Sequence, residues 1–232
     1  MAQPRWQSLS GAVGITLIFG VLFAPGPPPK ASDSAAVLTG LLVGRRTLLV
    51  CGVLVAGFGV MALIWFLGML AQRLQHGDDA PTSLTWAAMT GGAVGITLTF
   101  VGILIFSGTA FRAAAMGDPA VVRAAVDTGN MFIESSKYGF AVLIFATCAA
   151  STRNASLSRR TVWAGVVSAA ILVASTFPPF LVVHGIGEFG GGIDVVGALP
   201  GFVWIVALSI AMASQPTTLE PVSVGGPDAR CC

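Results

Sequence analysis

Apolar residues run along this chain in long blocks, separated by short polar or glycine- and proline-containing stretches. Six blocks stand out: Leu9–Ala24, Thr47–Ala71, Thr85–Ser107, Gly129–Ser151, Thr161–Val183 and Val195–Ala213. A membrane span needs about 20 apolar residues; the first block is short of this, and the fourth is densest after Lys137. Each block is predicted to be a helix, because inside a bilayer every backbone polar group needs a partner within the span. The chain therefore reads as all-α: a polytopic transmembrane helix bundle of about six spans arranged as three helical hairpins. Residues 1–232 form a single membrane domain, with a disordered C-terminal tail over 214–232. The spans occupy more than half the chain, which leaves no room for a separate soluble domain.

Composition strengthens this reading. Hydrophobic residues make up 55% of the chain and charged residues 9%, against roughly 25% charged in a soluble domain. The first block is read as a retained span. It is followed by "FAPGPPPK" rather than a small-x-small cleavage site, and Pro25 after Ala24 resists cleavage. Six spans put both termini on one side. Lys and Arg divide evenly between the two sides, so the short loops decide the orientation. "RNASLSRR" carries three arginines, whereas "HGIGEFGGGID" carries no basic residue and two acids. Trp6, Trp65, Trp86 and Trp163 fall near the terminus-bearing side, as in an interfacial belt. Both termini are placed in the cytoplasm and the chain in the plasma membrane, although Arg45 and Arg46 run against that choice. Asn154 in "NAS" fits a glycosylation sequon that this topology leaves unused. Cys51 and Cys148 lie within spans, where a thiol behaves as a small apolar group. Cys231 and Cys232 end the chain as a reactive tail.

The stretch "GAVGITL" occurs twice, at Gly11–Leu17 and Gly92–Leu98, each followed two residues later by phenylalanine (Phe19, Phe100). "GVVSAAILVASTFPP" from Gly165 gives a fainter echo. The repeat fits a hairpin unit used three times in parallel orientation. It fits equally a shared demand for close helix packing, which small residues meet in lipid. Gly40/Gly44, Gly91/Gly95 and Gly197/Gly201 are further G-x-x-x-G pairs.

Candidate chemistry concentrates in "MGDPAVVRAAVDTGNMFIESSKYGF". Asp118 and Pro119 make a helix start, the aspartate as cap and the proline at the first helical position. From there Arg123, Asp127, Asn130, Glu134, Lys137 and Tyr138 fall within an arc of about 100°. The stripe runs into the fourth block, where ionisable residues are costly and face a cavity or a partner. The catalytic candidates are Glu134 and Asp127, as carboxylates that exchange a proton. Asn130, Lys137 and Tyr138 support them, and Phe132 and Phe140 line a substrate pocket. The plainer reading, preferred from sequence, is a juxtamembrane helix with exposed pairs, Arg123 with Asp127 and Glu134 with Lys137. Such pairs contribute a few tenths of a kcal/mol. A second constellation, His184, Glu188 and Asp194, has metal-binding residue types but matches no metal motif and sits among glycines. No metal is therefore favoured, and His76 is a lone histidine in a polar turn.

The chain has no Walker loop, no G-x-S-x-G, no H-E-x-x-H and no basic residue in the middle of a span, which argues against an ion-coupled pump. Its basic residues are dispersed, which excludes nucleic acid as a partner. No cofactor is called for. The layout resembles uncharacterised multi-pass membrane proteins of actinobacterial type, a domain of unknown function. The stretches that carry the resemblance are "MALIWFLGMLAQRL", "GDPAVVRAAVDTGN", "SLSRRTVWAGVVSAAILV" and "FVWIVALSIAM". It implies an integral membrane protein and carries no activity.

Three functional readings remain. The leading one is a binding or scaffolding protein of the membrane, with lipids and a hydrophobic small molecule as partners and homo-oligomers through glycine-rich helix faces. The second is a membrane-embedded enzyme acting on a prenyl or other lipid-soluble substrate, for example a terpene cyclase started by Glu134 or Asp127. The third is a small transporter or channel lined by Thr16, Thr97, Thr99, Thr147, Ser168, Ser175 and Thr176, hydroxyls that also bond back within helices.

Overall fold

A computed structural model describes residues 5–24, 26, 33–75, 82–113, 118–154, 157–177 and 192–214. The described residues form seven α-helices: α1 (Ser10–Phe23), α2 (Ala35–Gly44), α3 (Arg46–Leu74), α4 (Thr82–Gly108), α5 (Pro119–Asn154), α6 (Arg159–Ala174) and α7 (Gly192–Ser214). A 3₁₀ turn, Arg5–Leu9, leads into α1, and a π-helical turn, Thr109–Ala113, ends α4. Four helices are long and apolar enough to cross a membrane: Arg46–Leu74, Ser83–Arg112, Pro119–Arg153 and Val196–Ser214. α1 and α6, with 14 and 16 residues, rise roughly 21 and 24 Å, less than the roughly 30 Å of a hydrocarbon core.

The helices pack as a closed cycle. α1 lies on α3, α3 on α4, α4 on α5, α5 on α6, α6 on α7, and α7 returns to α1. The three expected hairpin pairs are all in contact, but so are their neighbours on either side, and α4–α5 is the most extensive interface. Polar bonds close the cycle between its first and last members. Ser209 on α7 accepts from the Ala12 amide at 3.1 Å and donates to the Ser8 carbonyl. It thus serves the start of α1, which has no cap of its own. At the same end Arg73 donates to the Met212 carbonyl at 2.8 Å, and Trp204 to the Thr161 carbonyl at 2.9 Å.

Glycine sets the spacing of these helices. A methyl group on Gly139 would sit 2.5 Å from the Gly95 amide nitrogen and 2.7 Å from the Gly91 carbonyl oxygen, so α4 and α5 touch backbone to backbone. Gly14 meets the Gly59 carbonyl and Leu63 in the same way, joining α1 to α3. The two copies of "GAVGITL" are buried alike: Gly11, Gly14 and Ile15 in the first and Gly92, Gly95 and Ile96 in the second are inside, while Val13, Thr16, Val94 and Thr97 are exposed. Both copies are therefore packing surface. Gly91/Gly95 and Gly197/Gly201 also lie at helix contacts, whereas Gly40 and Gly44 have open space where a side chain would be.

The fourth block follows the sequence reading, and two other elements differ from it. The fourth block belongs to one helix of 36 residues beginning at the expected start, where Asp118 Oδ1 accepts from the Ala120 amide at 3.0 Å. The fifth block reaches only Ala174 as helix and turns at Ser175–Phe177. Pro178 and Pro179 follow in the sequence, and a residue before proline is pushed out of helical geometry. α2 was not anticipated. Ser34 caps it by accepting from the Val37 amide, and Leu38 and Leu42 pack with Ala110, Val122 and Val126 in a small second core. The tail from residue 215 onward lies outside the described residues.

The glycine crossing gives a matched test. Gly139→Ala is expected to destabilise the protein by about 1–3 kcal/mol through forced separation of α4 and α5. Gly57→Ala, with nothing within 4 Å, is expected to be neutral or stabilising by up to about 1 kcal/mol through helix propensity. Thermal unfolding of the two variants in detergent micelles distinguishes them.

Candidate functional site

Two contacts orient α5. Gly129 and Ile133 face Gly102 of α4, and Gly139 and Leu143 face Gly91. Asn130 and Glu134 directly follow Gly129 and Ile133, so they point about 100° round the helix from that interface. Asn130, Glu134 and Lys137 fall four and three residues apart and share an arc of about 60°. Val122 and Val126 continue the same stripe on one side, buried against α2. Ala141 and Ile144 continue it on the other, and Ile144 lies beside Leu172 of α6 at Gly201 of α7. The polar triad therefore sits between two apolar ends of one buried stripe.

Glu134 and Lys137 are the only charged side chains buried among the described residues, at 3% and 4% exposure. Lys137 Nζ donates to Glu134 Oε2 at 2.7 Å. Lys137 is two residues from Gly139, whose backbone touches the central residues of α4. The pair thus lies near the middle of the apolar length of the bundle, where an ion pair is far less screened than on a surface. Asn130, at 7% exposure, completes the triad, and its Nδ2 has no hydrogen-bond partner among the described residues.

The other stripe residues separate from these. Asp127 pairs with Arg123 at 3.8 Å, with both side chains nearly half exposed. Tyr138 is exposed, and its hydroxyl donates to Thr176 Oγ1 at 2.9 Å, since the one proton of Thr176 is given to the Val173 carbonyl. The two charge pairs expected on the plainer reading both form. The inner one is buried rather than exposed, because α5 enters the bundle about one turn before Asn130. Phe132 is half-buried and Phe140 is buried. Phe140 packs edge-to-face on Phe202 of α7, which packs in turn on Phe19 of α1. Phe202 and Phe19 lie 60 or more residues away from the stripe, and no local signal marks them.

His184 and Glu188 lie outside the described residues, and Asp194 falls in the first turn of α7. Among the described residues no three His, Cys, Asp or Glu side chains gather in a way that could hold a metal ion. The hydroxyls proposed for a polar path are dispersed. Thr16 and Thr97 are exposed on the outside of their helices, while Thr99, Thr147 and Ser175 donate to carbonyls three or four residues back. Thr176 does likewise, to Val173. A groove of about 500 Å³ lies on the outer face of α3, among Met61, Ile64, Trp65 and Gln72, and includes no residue of the triad.

Removing one member of a buried ion pair leaves the other charge without its counter-ion, which costs about 3–5 kcal/mol, whereas replacing both with apolar or neutral groups is close to neutral. Glu134→Gln and Lys137→Met are each expected to lower the melting temperature strongly. The double variant is expected to recover most of that loss in the same unfolding assay.

No protein-family model, no curated protein and no solved structure matches the chain, so the site's chemistry is read from its own residues alone.

Proposed function

We propose that this chain is a six-span protein of the plasma membrane, of the actinobacterial type it resembles, with both termini cytoplasmic. Its role is binding or scaffolding without turnover. Four helices of membrane-crossing length support the membrane setting. The two shorter ones complete the cycle between them, α1 between α3 and α7 and α6 between α5 and α7, which supports counting all six.

One observation carries the non-catalytic reading: the buried charges meet each other within one turn of a single helix, at 2.7 Å. A carboxylate that starts a terpenoid cyclisation must hold a proton to give away. Protonating Glu134 would deprive Lys137 of the counter-ion beside it in an apolar interior, which is costly. Asp127 is half exposed and paired to Arg123, without the enclosure that such chemistry requires. A transport path is supported still less, since Thr99, Thr147, Ser175 and Thr176 bond back to their own helices.

The test uses the full chain in lipid nanodiscs, incubated with prenyl alcohols, prenyl diphosphates and a total membrane lipid extract, with products followed by mass spectrometry. No consumption is expected. Substrate loss, with products absent from empty nanodiscs, would replace this reading with the enzyme. In sealed liposomes, an internal pH dye is expected to show no protein-dependent proton flux; flux would instead favour the transporter.

A further inference from the structure

We propose that Asn130, beside the Glu134–Lys137 pair, is the recognition group of a binding site for a neutral, membrane-soluble molecule that presents a carbonyl oxygen. The inference rests on the binding reading above and names its ligand chemistry.

A buried polar group without a partner costs free energy, and native interiors contain few of them. Asn130 is more than nine-tenths buried, yet its Nδ2 donates to no atom of the described residues, on the same face as Glu134 one turn further on. The missing partner is therefore an acceptor, which an oxygen of the ligand supplies. The charge of the site selects further. Glu134 and Lys137 sum to zero and already bond to each other, so an anionic ligand would bring a net charge into an apolar interior at high cost. A neutral carbonyl accepts from the amide without that cost. The surroundings select for lipid solubility: the stripe continues as Val126 before the triad and Ala141 after it. A free ring ketone or quinone and the ester carbonyl of a glycerolipid share this chemistry.

Asn130 and Asn154 are the only asparagines in the chain, so [15N]asparagine labelling reports on Asn130 almost alone, and Asn154→Gln assigns the second signal. The full chain is placed in nanodiscs of ether-linked phosphatidylcholine, which has no carbonyl, and titrated with a decyl-substituted benzoquinone. A saturable downfield shift of the Asn130 side-chain amide is expected with the quinone. If the shift appears instead on changing to ester-linked lipid, the glycerolipid is the ligand. Where the quinone binds, equilibrium dialysis is expected to show binding about tenfold weaker for Asn130→Leu, with thermal stability unchanged or raised, because that substitution removes a donor that is unpaired without ligand.

An amide that is unmoved by quinone, identical in ether and ester lipid, and in contact only with water would overturn the site. Quinone recovered chemically altered, with the amide shift intact, would overturn the non-catalytic role and leave the site standing.

Discussion

The contact on which the rest of this structure depends is the backbone crossing of α4 and α5 at Gly91, Gly95 and Gly139. In lipid there is little hydrophobic force between helices, so association depends on close van der Waals contact and on polar bonds between them. A crossing with no side chains in the way brings two backbones together over many atoms. It also fixes the rotation of α5, because only the face carrying Gly129 and Gly139 can come so close to α4. Once that rotation is set, the residues following Gly129 and Ile133 have no choice of direction. Asn130, Glu134 and Lys137 are turned inward, while Tyr138 and Phe145 are left outside. The polar triad is thus a consequence of glycine placement a third of a turn away.

The same device recurs at Gly14 and Gly59, and the cycle then closes through α7. Closure uses a different kind of contact. Ser209 and Arg73 each join a side chain to a backbone group left unpaired at a helix end, the Ala12 amide and the Met212 carbonyl, and Trp204 adds a bond to a carbonyl in the first turn of α6. Close crossings hold the helices along their length, and polar bonds hold their ends at one end of the bundle. α3 contributes least to the interior: 17% of its apolar window is buried, against 44–61% for the other three long helices. Its residues Leu54, Phe58, Met61 and Trp65 form an exposed apolar stripe, which is the surface expected of a helix facing lipid.

Much of this was legible in the residues. Run length located the four long helices, and Asp118-Pro119 located the start of α5. Helical spacing groups the stripe from Arg123 to Tyr138 and names both of its ion pairs, although Tyr138 itself faces outward. The repeated heptapeptide pointed to packing, and its two copies are buried in the same pattern. The misses have physical causes. α2 is ten residues long, too short for a run-length criterion, and is held by contacts to Val122 and Val126 far along the chain. The fifth block stays apolar through Pro178 and Pro179, so run length alone does not mark the end of its helix at Ala174. The burial of Glu134 and Lys137 could not be read from periodicity, since an exposed and a buried stripe have the same spacing.

The residues alone dictate that the chain is helical, with runs long and apolar enough to cross a membrane, because in lipid such runs leave backbone groups no partners but each other. They also dictate which side chains share a face, because helix geometry is local. Which faces turn inward is set by packing, since it depends on which glycine backbones meet across the bundle. It is this choice that places one ion pair in the interior and the other at the surface, and that leaves the amide nitrogen of Asn130 without a partner among the described residues.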